Sequence, residues 1–232
     1  MTSACAVIVA GGKGERMNSD IRKQYLLLGN LPILSHTLLV FDSCPLVNRI
    51  YLVIPEIDFD FCRKYILEPI YLTSEIQLVS GGKERQDSVF NGMSAITDKD
   101  DIVVIHDGVR PFVTAKLIEA CIYGAEKDGG CMLGVPAVDT LKILDSDGYV
   151  LNTMQRSDVW LAQTPQAFDC KLIKKAHDHA LAEGFRGTDD ASLVEYLGKR
   201  VRVISGSPYN IKITNQKDMV IAGAIFQHLK RE

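Results

Sequence analysis

The sequence predicts an α/β fold, with a mostly parallel sheet, helices on both faces and one inserted β-hairpin. Three runs rich in β-branched residues are apolar throughout, as strands buried on both faces are: "ACAVIVA", "RIYLVIP" and "DIVVIHD". Segments with helical spacing of apolar residues separate these runs. Late in the chain, polar and apolar residues alternate around Asp147-Gly148, which is a strong hairpin-turn signal.

The remaining elements follow in chain order. A helical pattern follows Pro32 in "PILSHTLLVFDSC", a weaker one is "FDFCRKYILEPI", and "ERQDSVFNGMSAI" begins behind a glycine pair. After the hairpin we expect two helices, a strand, an extended segment and a closing helix from about Asn215: "CKLIKKAHDHALAEG", "TDDASLVEYLG", "RVRVIS", "NIKIT" and the last helix. Alternation of strand and helix places ligands beyond the carboxyl ends of the strands.

Length and composition limit the possible classes of protein. The chain has 232 residues, of which 47% are hydrophobic, and no Pro/Gly/Ser-rich linker. We therefore expect one domain, residues 1–232, with a β-arm at about 137–156. A net charge of −3 does not indicate nucleic acid or an anionic membrane as partner. No apolar run approaches the roughly 20 residues of a membrane span, and no signal peptide is evident, so we expect a cytoplasmic protein.

The six cysteines predict neither a disulfide framework nor a zinc site. They are scattered, no Cys-x-x-Cys pair occurs, and several lie in apolar segments, where cysteine behaves as a small hydrophobic residue.

The stretch "AVIVAGGKGERM", residues 6–17, indicates an anion site. Gly11, Gly12 and Gly14 follow a predicted strand directly, and without a Cβ their backbone amides can approach phosphate oxygens closely. The spacing is not that of a dinucleotide-binding loop, and no Gly-Lys-Ser/Thr follows. An ordinary glycine turn is the alternative. Four basic residues within eleven positions favour the anion site: Lys13, Arg16, Arg22 and Lys23.

Two further segments contain candidate site residues. Asp107 ends a buried strand, where a carboxylate can bind a hard metal ion together with phosphate oxygens. The alternative is an Asp-Gly turn with Arg110 at its edge. His106 is interpreted as a packed residue at the strand end. In "TDDASLVEYLG" the polar residues are interpreted as helix caps, with Thr188 as the N-cap.

Eight segments together resemble a known family: "AGGKGERM", "KQYLLLG", "GGKERQDSV", "HDGVRP", "VDTLK", "QTPQAF", "TDDASLVE" and "NIKIT". In order and spacing they are similar to the 2-C-methyl-D-erythritol 4-phosphate cytidylyltransferases of the non-mevalonate isoprenoid pathway. The resemblance implies a Rossmann-like fold of the nucleotide-diphospho-sugar transferase type. It also implies that CTP and Mg²⁺ are used, that the hairpin arm forms a homodimer, and that 4-diphosphocytidyl-2-C-methyl-D-erythritol and pyrophosphate are the products.

The resemblance implies roles for individual residues. Those implied in catalysis are Arg16, Lys23 and Lys212. Those implied in nucleotide binding are Ala10, Gly11, Gly12, Lys13, Gly14, Gly81, Gly82, Ser88 and Asp107, with Asp107 also a metal ligand. Arg110 would bind methylerythritol phosphate, and Thr140 and Arg156 would complete that site from the partner subunit. The sequence departs from many members of the family at Tyr209, where they carry an acidic residue.

Two alternative functions remain at this point. The ribitol 5-phosphate cytidylyltransferases share the glycine loop, the aspartate after the central strand and the closing Asn-x-Lys. "PAVDTLK" and "TDDASLVE" favour the isoprenoid family over them. The second alternative is a nucleotide-binding module without turnover, which the presence of all the expected cations argues against.

Overall fold

The computed structural model describes residues 3–12, 21–96 and 101–231. The strands are β1 (Ala4–Val9), β2 (Leu27–Leu28), β3 (Leu31–Pro32), β4 (Val47–Ile54), β5 (Glu75–Ser80), β6 (Ile102–Asp107), β7 (Gly130–Pro136), β8 (Lys142–Leu144), β9 (Val150–Thr153), β10 (Trp160–Asp169) and β11 (Arg202–Ser205). The helices are α1 (Ile33–Asp42), α2 (Phe59–Cys62), α3 (Arg85–Ser94), α4 (Ala115–Asp128), α5 (Cys170–Ala182), α6 (Asp190–Tyr196) and α7 (Gln216–Leu229).

Seven strands form the central sheet, in the order β11-β7-β10-β6-β1-β4-β5. The pairs from β6 to β5 are parallel, and β11 is parallel to β7. Strand β10 is the exception, since it runs antiparallel to both of its neighbours, β6 and β7. The three apolar runs are β1, β4 and β6, so the predicted α/β fold with a mostly parallel sheet is confirmed.

Helices cover both faces of the sheet, which explains why β1 is apolar at every position. Alternate side chains of β1 enter two separate cores: Ala4, Ala6 and Ile8 pack with α1 and α4 on one face. Cys5, Val7 and Val9 pack with α3, α5 and α6 on the other. Within the described residues, no helix is long and apolar enough to cross a membrane.

The ends of the helices follow from local sequence. The closing helix α7 begins after Asn215, as predicted, and the Asn215 side chain accepts hydrogen bonds from the backbone N–H groups of Lys217 and Asp218. The prediction of Thr188 as N-cap of α6 is wrong by one residue. The helix begins at Asp190, so the cap is Asp189, whose carboxylate accepts from the amide of Ser192.

The weaker helical pattern corresponds to the short helix α2 followed by a π-helical segment, Arg63–Leu67. The segment "NIKIT", predicted as extended, belongs to neither a helix nor a strand.

The predicted hairpin is confirmed. Strands β8 and β9 pair with each other in a two-stranded sheet that is separate from the central one. The turn between them has Gly148 at φ +87°, a conformation that favours glycine, and Asp145 accepts hydrogen bonds from the amides of Asp147 and Tyr149. We call the segment from residue 137 to 156 the β-arm.

Candidate active site

A cleft of about 900 Å³ lies at the carboxyl ends of β1, β4, β5 and β6, the edge where an α/β sheet is expected to bind ligands. The predicted residues that line it are Ala10, Gly11, Gly12, Lys23, Gly81, Gly82, Ser88, Asp107 and Lys212. Lys13, Gly14 and Arg16 are outside the described residues. The strand register explains why the segments that follow these strands meet in one cleft. Val9, at the end of β1, lies opposite Val53 of β4 and Asp107 of β6.

Two glycine loops face each other across Ser88. A Cβ added to Gly11 would lie 3.7 Å from the Ser88 hydroxyl oxygen, and one added to Gly81 would lie 3.4 Å from it. Ser88 donates a hydrogen bond to the Glu84 carbonyl and accepts one from the Gly82 amide, each at 3.0 Å. The serine therefore fixes the second glycine loop, and both loops lie within van der Waals distance of its hydroxyl.

Lys23 reaches over the first glycine loop. A Cβ on Gly12 would lie 4.0 Å from the Lys23 Cε, so the lysine side chain crosses this backbone. The short 3-10 turn Lys23–Tyr25 carries the lysine, and the next residue, Gln24, donates from Nε2 to the Ala10 carbonyl at 2.6 Å. The buried Gln24 side chain thus ties the loop after β1 to the lysine-bearing turn.

Asp107 is the centre of a cluster of cations. Its Oδ1 lies 3.0 Å from the Nε of Arg85, and its Oδ2 lies 2.9 Å from Lys212 Nζ and 3.5 Å from Arg110 Nε. Burial by itself raises the pKa of Asp107, but the three cations lower it well below the usual range, so the carboxylate is ionised. The cluster therefore holds Arg85 and Lys212 at the cleft with a fixed geometry.

Arg85 was not among the predicted site residues, although it lines the cleft. Its guanidinium bridges two carboxylates, Asp107 and Asp190, with the Asp190 oxygen at 2.8 Å. Asp190 is 1% exposed, so interpreting the polar residues of this segment only as helix caps is incomplete, because the Asp190 carboxylate also anchors α6 to α3. A signal was present in the sequence. Arg85 is the first residue of α3, where a positive charge is repelled by the helix dipole, so an arginine at this position suggests a role other than helix formation.

Arg110 and His106 are packed beneath the cleft. Besides contacting Asp107, Arg110 donates to the Asn210 carbonyl at 2.8 Å, and burial lowers the pKa of its guanidinium. His106 is fully buried, and its Nε2 lies 3.2 Å from the carbonyl oxygen of Arg110. A carbonyl can only accept, so this nitrogen carries the proton, and burial lowers the pKa of the imidazole to about 3. The interpretation of His106 as a packed strand-end residue is confirmed.

Thr140 and Arg156 do not line this cleft. Both are exposed on the β-arm, where Arg156 Nη1 donates to the carbonyl of Val138 at 2.6 Å. Tyr209 also lies away from the cleft, with its ring 5.7 Å from that of His228. The structure thus brings together the described residues that were predicted for nucleotide binding and catalysis, and leaves the two arm residues apart from them.

Asp107 is also the carboxylate best placed to hold a metal ion. Among the described residues, no group of three or more His, Cys, Asp or Glu side chains forms an all-protein metal cage. Mg²⁺ commonly uses one or two carboxylates and takes its other ligands from phosphates and water. A carboxylate has about four acceptor positions, and Arg85, Lys212 and Arg110 supply three contacts. This count leaves about one acceptor position on the carboxylate, which is the number that a single bond to a metal ion would need.

The charges in the cleft suit a polyanionic ligand. The basic side chains that line it are Arg22, Lys23, Lys83, Arg85 and Lys212, and the acidic ones are Glu84 and Asp107. Backbone amides of two glycine loops lie among these cations, in a site partly screened from water, where fixed charges act strongly. The arrangement can bind phosphate groups and stabilise negative charge that develops on them.

Comparison with known proteins agrees with this chemistry. The family model described as 2-C-methyl-D-erythritol 4-phosphate cytidylyltransferase matches residues 4–228. A protein of that name from Geotalea uraniireducens is 48% identical over 229 residues, which cover 98% of either chain. The one from Syntrophus aciditrophicus is 48% identical over 227 residues, covering 98% of this chain and 96% of the relative.

Solved structures give the same result. The 4-diphosphocytidyl-2C-methyl-D-erythritol synthase of Anaerococcus prevotii superposes with a TM-score of 0.87 at 36% identity, covering 97% of this chain and 96% of that one. The cytidylyltransferase of Francisella tularensis superposes with a TM-score of 0.81 at 30% identity, covering 97% of this chain and all of the other. With the sequence matches and the architecture of the cleft, these likenesses show that the chain belongs to the 2-C-methyl-D-erythritol 4-phosphate cytidylyltransferase family.

Proposed function

We propose that this cleft transfers a cytidylyl group from CTP to 2-C-methyl-D-erythritol 4-phosphate. The products are 4-diphosphocytidyl-2-C-methyl-D-erythritol and pyrophosphate, so the chain serves the non-mevalonate isoprenoid precursor pathway as a nucleotidyltransferase. The observation that carries the proposal is the convergence of Lys23 and Lys212 with two glycine loops in one cleft.

The reaction requires positive charge more than it requires a base. The phosphate monoester that attacks the α-phosphorus of CTP is already an anion near neutral pH, so no proton has to be removed from it. Two polyanions must approach, and negative charge spreads over the oxygens of the transition state. In our proposal Lys23, Lys212 and Arg16 stabilise that charge. Ala10, Gly11, Gly12, Lys13 and Gly14 bind the phosphates, while Gly81, Gly82 and Ser88 surround the cytosine and ribose.

We assign the divalent cation, Mg²⁺, to Asp107. When bound, the ion would neutralise charge on phosphate oxygens. The contribution of the chain is a carboxylate that stays ionised, since Arg85, Lys212 and Arg110 lower its pKa. The same cluster holds Lys212 beside this carboxylate, with Nζ 2.9 Å from Oδ2, so the lysine would contact the phosphates whose charge the ion neutralises.

The second substrate would bind between two subunits. Arg110 is packed beneath the cleft against Asp107, whereas Thr140 and Arg156 are exposed on the β-arm. A two-stranded sheet is marginally stable alone in water. The arm also exposes apolar side chains that a second copy would cover, namely Ile143, Leu144, Tyr149, Val150, Leu151 and Met154. We therefore propose a homodimer in which each arm supplies Thr140 and Arg156 to the cleft of its partner.

We also propose that the enzyme works in the cytoplasm. All six cysteines are free thiols, and Cys5, Cys44, Cys62, Cys121 and Cys131 are buried. Free thiols in this number are typical of a reducing compartment.

The proposal is tested by pyrophosphate release from CTP and Mg²⁺, with methylerythritol 4-phosphate in one reaction and ribitol 5-phosphate in another. We expect release in the first reaction. Release with ribitol 5-phosphate alone would preserve the assignment of the nucleotide site and reject that of the substrate. No release in either reaction, from protein with a cooperative melting transition, would favour a binding module without turnover.

A further inference from the structure

Arg22 lines the cleft one residue before Lys23, and an ion pair fixes its side chain. Its Nε lies 2.7 Å from Oδ2 of Asp58, and the side chains are 27% and 16% exposed. Asp58 ends the 3-10 turn Glu56–Asp58, which follows Pro55, itself a residue of the cleft wall. The loop after β4 therefore meets the lysine-bearing turn at one side of the cleft.

Asp58 is itself held by a buried tyrosine. The Tyr25 hydroxyl donates to the same Oδ2 at 3.1 Å. Burial, and then the charge of Asp58, raise the pKa of Tyr25, so its phenol remains protonated and acts as the donor. The Tyr25 ring packs against Phe61 with 4.9 Å between centroids. The carboxylate is thus anchored from the protein interior while it faces the arginine.

The ion pair leaves most of the guanidinium available. An arginine has five N–H donors, and the contact with Asp58 engages Nε. Within the described ranges, the terminal nitrogens of Arg22 form no hydrogen bond. Four N–H groups on a side chain of fixed orientation suit bidentate recognition of a phosphate.

We propose that Arg22 is a phosphate-binding residue for the nucleoside triphosphate, and that Asp58 and Tyr25 are positioning residues that hold it in the cleft. This inference rests on the proposed function and adds a residue to its nucleotide site. It makes a prediction that runs against simple electrostatics. Asp58→Asn makes the neighbourhood of the cleft more positive, yet it should weaken CTP binding because Arg22 loses its anchor.

The test measures the dissociation constant of CTP by calorimetry, without the second substrate. For Arg22→Gln we expect binding about tenfold weaker, the loss of one charge-assisted phosphate contact. Asp58→Asn should weaken it several-fold, and Arg22→Lys should remain weakened, because an ammonium cannot bond to Asp58 and a phosphate in the same fixed geometry. The matched control is Asp60→Asn, which removes the exposed pair with Arg63 at 2.9 Å and should leave the constant unchanged.

Steady-state kinetics separate phosphate binding from general structural damage. Arg22→Gln should raise the KM for CTP and leave the KM for methylerythritol phosphate unchanged, whereas a loosened fold would raise both.

Unchanged CTP binding by Arg22→Gln would overturn the inference, and tighter binding by Asp58→Asn would overturn the positioning role. If the unsubstituted protein binds CTP and Arg22→Gln weakens that binding, but no turnover occurs, the inference stands and the proposed function fails. If the unsubstituted protein does not bind CTP, both fail.

Discussion

At the scale of single residues, Lys23 is the cation whose loss should reduce catalysis most clearly. It crosses the first glycine loop and is partly exposed, so it contributes little to packing. Lys23→Ala should lower turnover by roughly 10²–10³-fold, the range seen when one charge-stabilising donor is removed from an active site. The melting temperature should change little. Steady-state kinetics and thermal melting of the variant measure the two effects.

The control for this variant is Lys127→Ala. Lys127 lies in the last turn of α4 and does not line the cleft. It should keep the turnover of the unsubstituted protein. Turnover of Lys23→Ala within a factor of about two of that control would contradict a role in transition-state stabilisation.

The burial of His177 leads to a prediction of how the stability of the fold depends on pH. It is buried, and its Nε2 lies 3.8 Å from Oδ1 of Asp190. Burial lowers the pKa of the imidazole, and Arg85 lowers it further, while Asp190 opposes both. The unfolded chain therefore binds a proton at a higher pH than the folded one does. The contribution of His177 to stability is fully present above the ordinary pKa of about 6.5, and it decreases as the pH falls below that value.

Chemical denaturation across a pH series checks this prediction. Between pH 6.5 and the lowered native pKa, the free energy of unfolding should fall by up to about 1.4 kcal/mol per pH unit for this histidine. His177→Gln should have a shallower slope than the unsubstituted protein. A comparison at about pH 8, where the imidazole is neutral in both states, isolates the packing cost of the substitution. Equal slopes in the two proteins would show that His177 does not have a lowered pKa.

At the scale of elements, the start of α7 connects helix capping to the active site. Asp218 accepts hydrogen bonds from the Thr214 amide at 2.6 Å, the Thr214 hydroxyl at 2.7 Å and the Asn215 amide at 3.0 Å. These bonds fix the segment that follows Lys212. A backbone bond from Ile213 to Val109 at 3.0 Å ties the same segment to the loop after β6. The position of Lys212 therefore depends on the cap of a helix outside the cleft.

Asp218→Ala should lower the stability by about 1–2 kcal/mol, as the loss of a helix cap does, and it should also lower turnover several-fold because Lys212 becomes less well positioned. Denaturation and steady-state kinetics measure both effects. Thr114→Ala is the matched control, since Thr114 caps α4 by accepting from Leu117. It should cost similar stability without loss of turnover. An equal loss of turnover in both variants would trace the effect to stability alone.

The sequence predicted those elements whose formation depends on a few neighbouring residues, such as an apolar run, a turn or a helix cap. The apolar run of β1, the hairpin turn at Gly148 and the start of α7 behind Asn215 are all confirmed. Helix α4 was not predicted, although its ends are encoded locally by the cap Thr114 and by Gly129, which has φ +81°. The prediction for α6 failed by one residue because three polar residues in succession can each serve as a cap.

What the sequence could not show depends on pairing between distant segments. Strand β10 follows the arm and inserts antiparallel between β6 and β7, and its own residues do not specify those neighbours. Asp190 lies far from Arg85 in sequence, yet the two form an ion pair, so the first residue of α6 becomes part of the charge network at the cleft. Phosphate chemistry was enough to predict an anion site at the first glycine loop and Lys23, because it restricts which residues can follow a strand end, whereas Gly81 and Gly82 were assigned by the family resemblance.

At the scale of the whole molecule, the cleft and the β-arm belong to one site only if two subunits combine. The cleft contains Lys23 and Lys212, whereas Thr140 is exposed on the arm. If each arm serves the partner, a heterodimer of a Lys23→Ala chain and a Thr140→Ala chain has one site in which both residues are intact. Its other site lacks both. Closed twofold symmetry therefore predicts that two inactive proteins regain activity when they are mixed.

The expected recovery can be calculated for random exchange of subunits. About half of the dimers are then mixed, and each has one intact site of two, so the mixture should reach about a quarter of the unsubstituted activity. The control mixes Lys23→Ala with Lys212→Ala, two residues of the same cleft, and neither site of that heterodimer is intact. Recovery in the first mixture and none in the second would establish the shared site. If tagged heterodimers are isolated and neither mixture recovers, Thr140 does not act across the dimer.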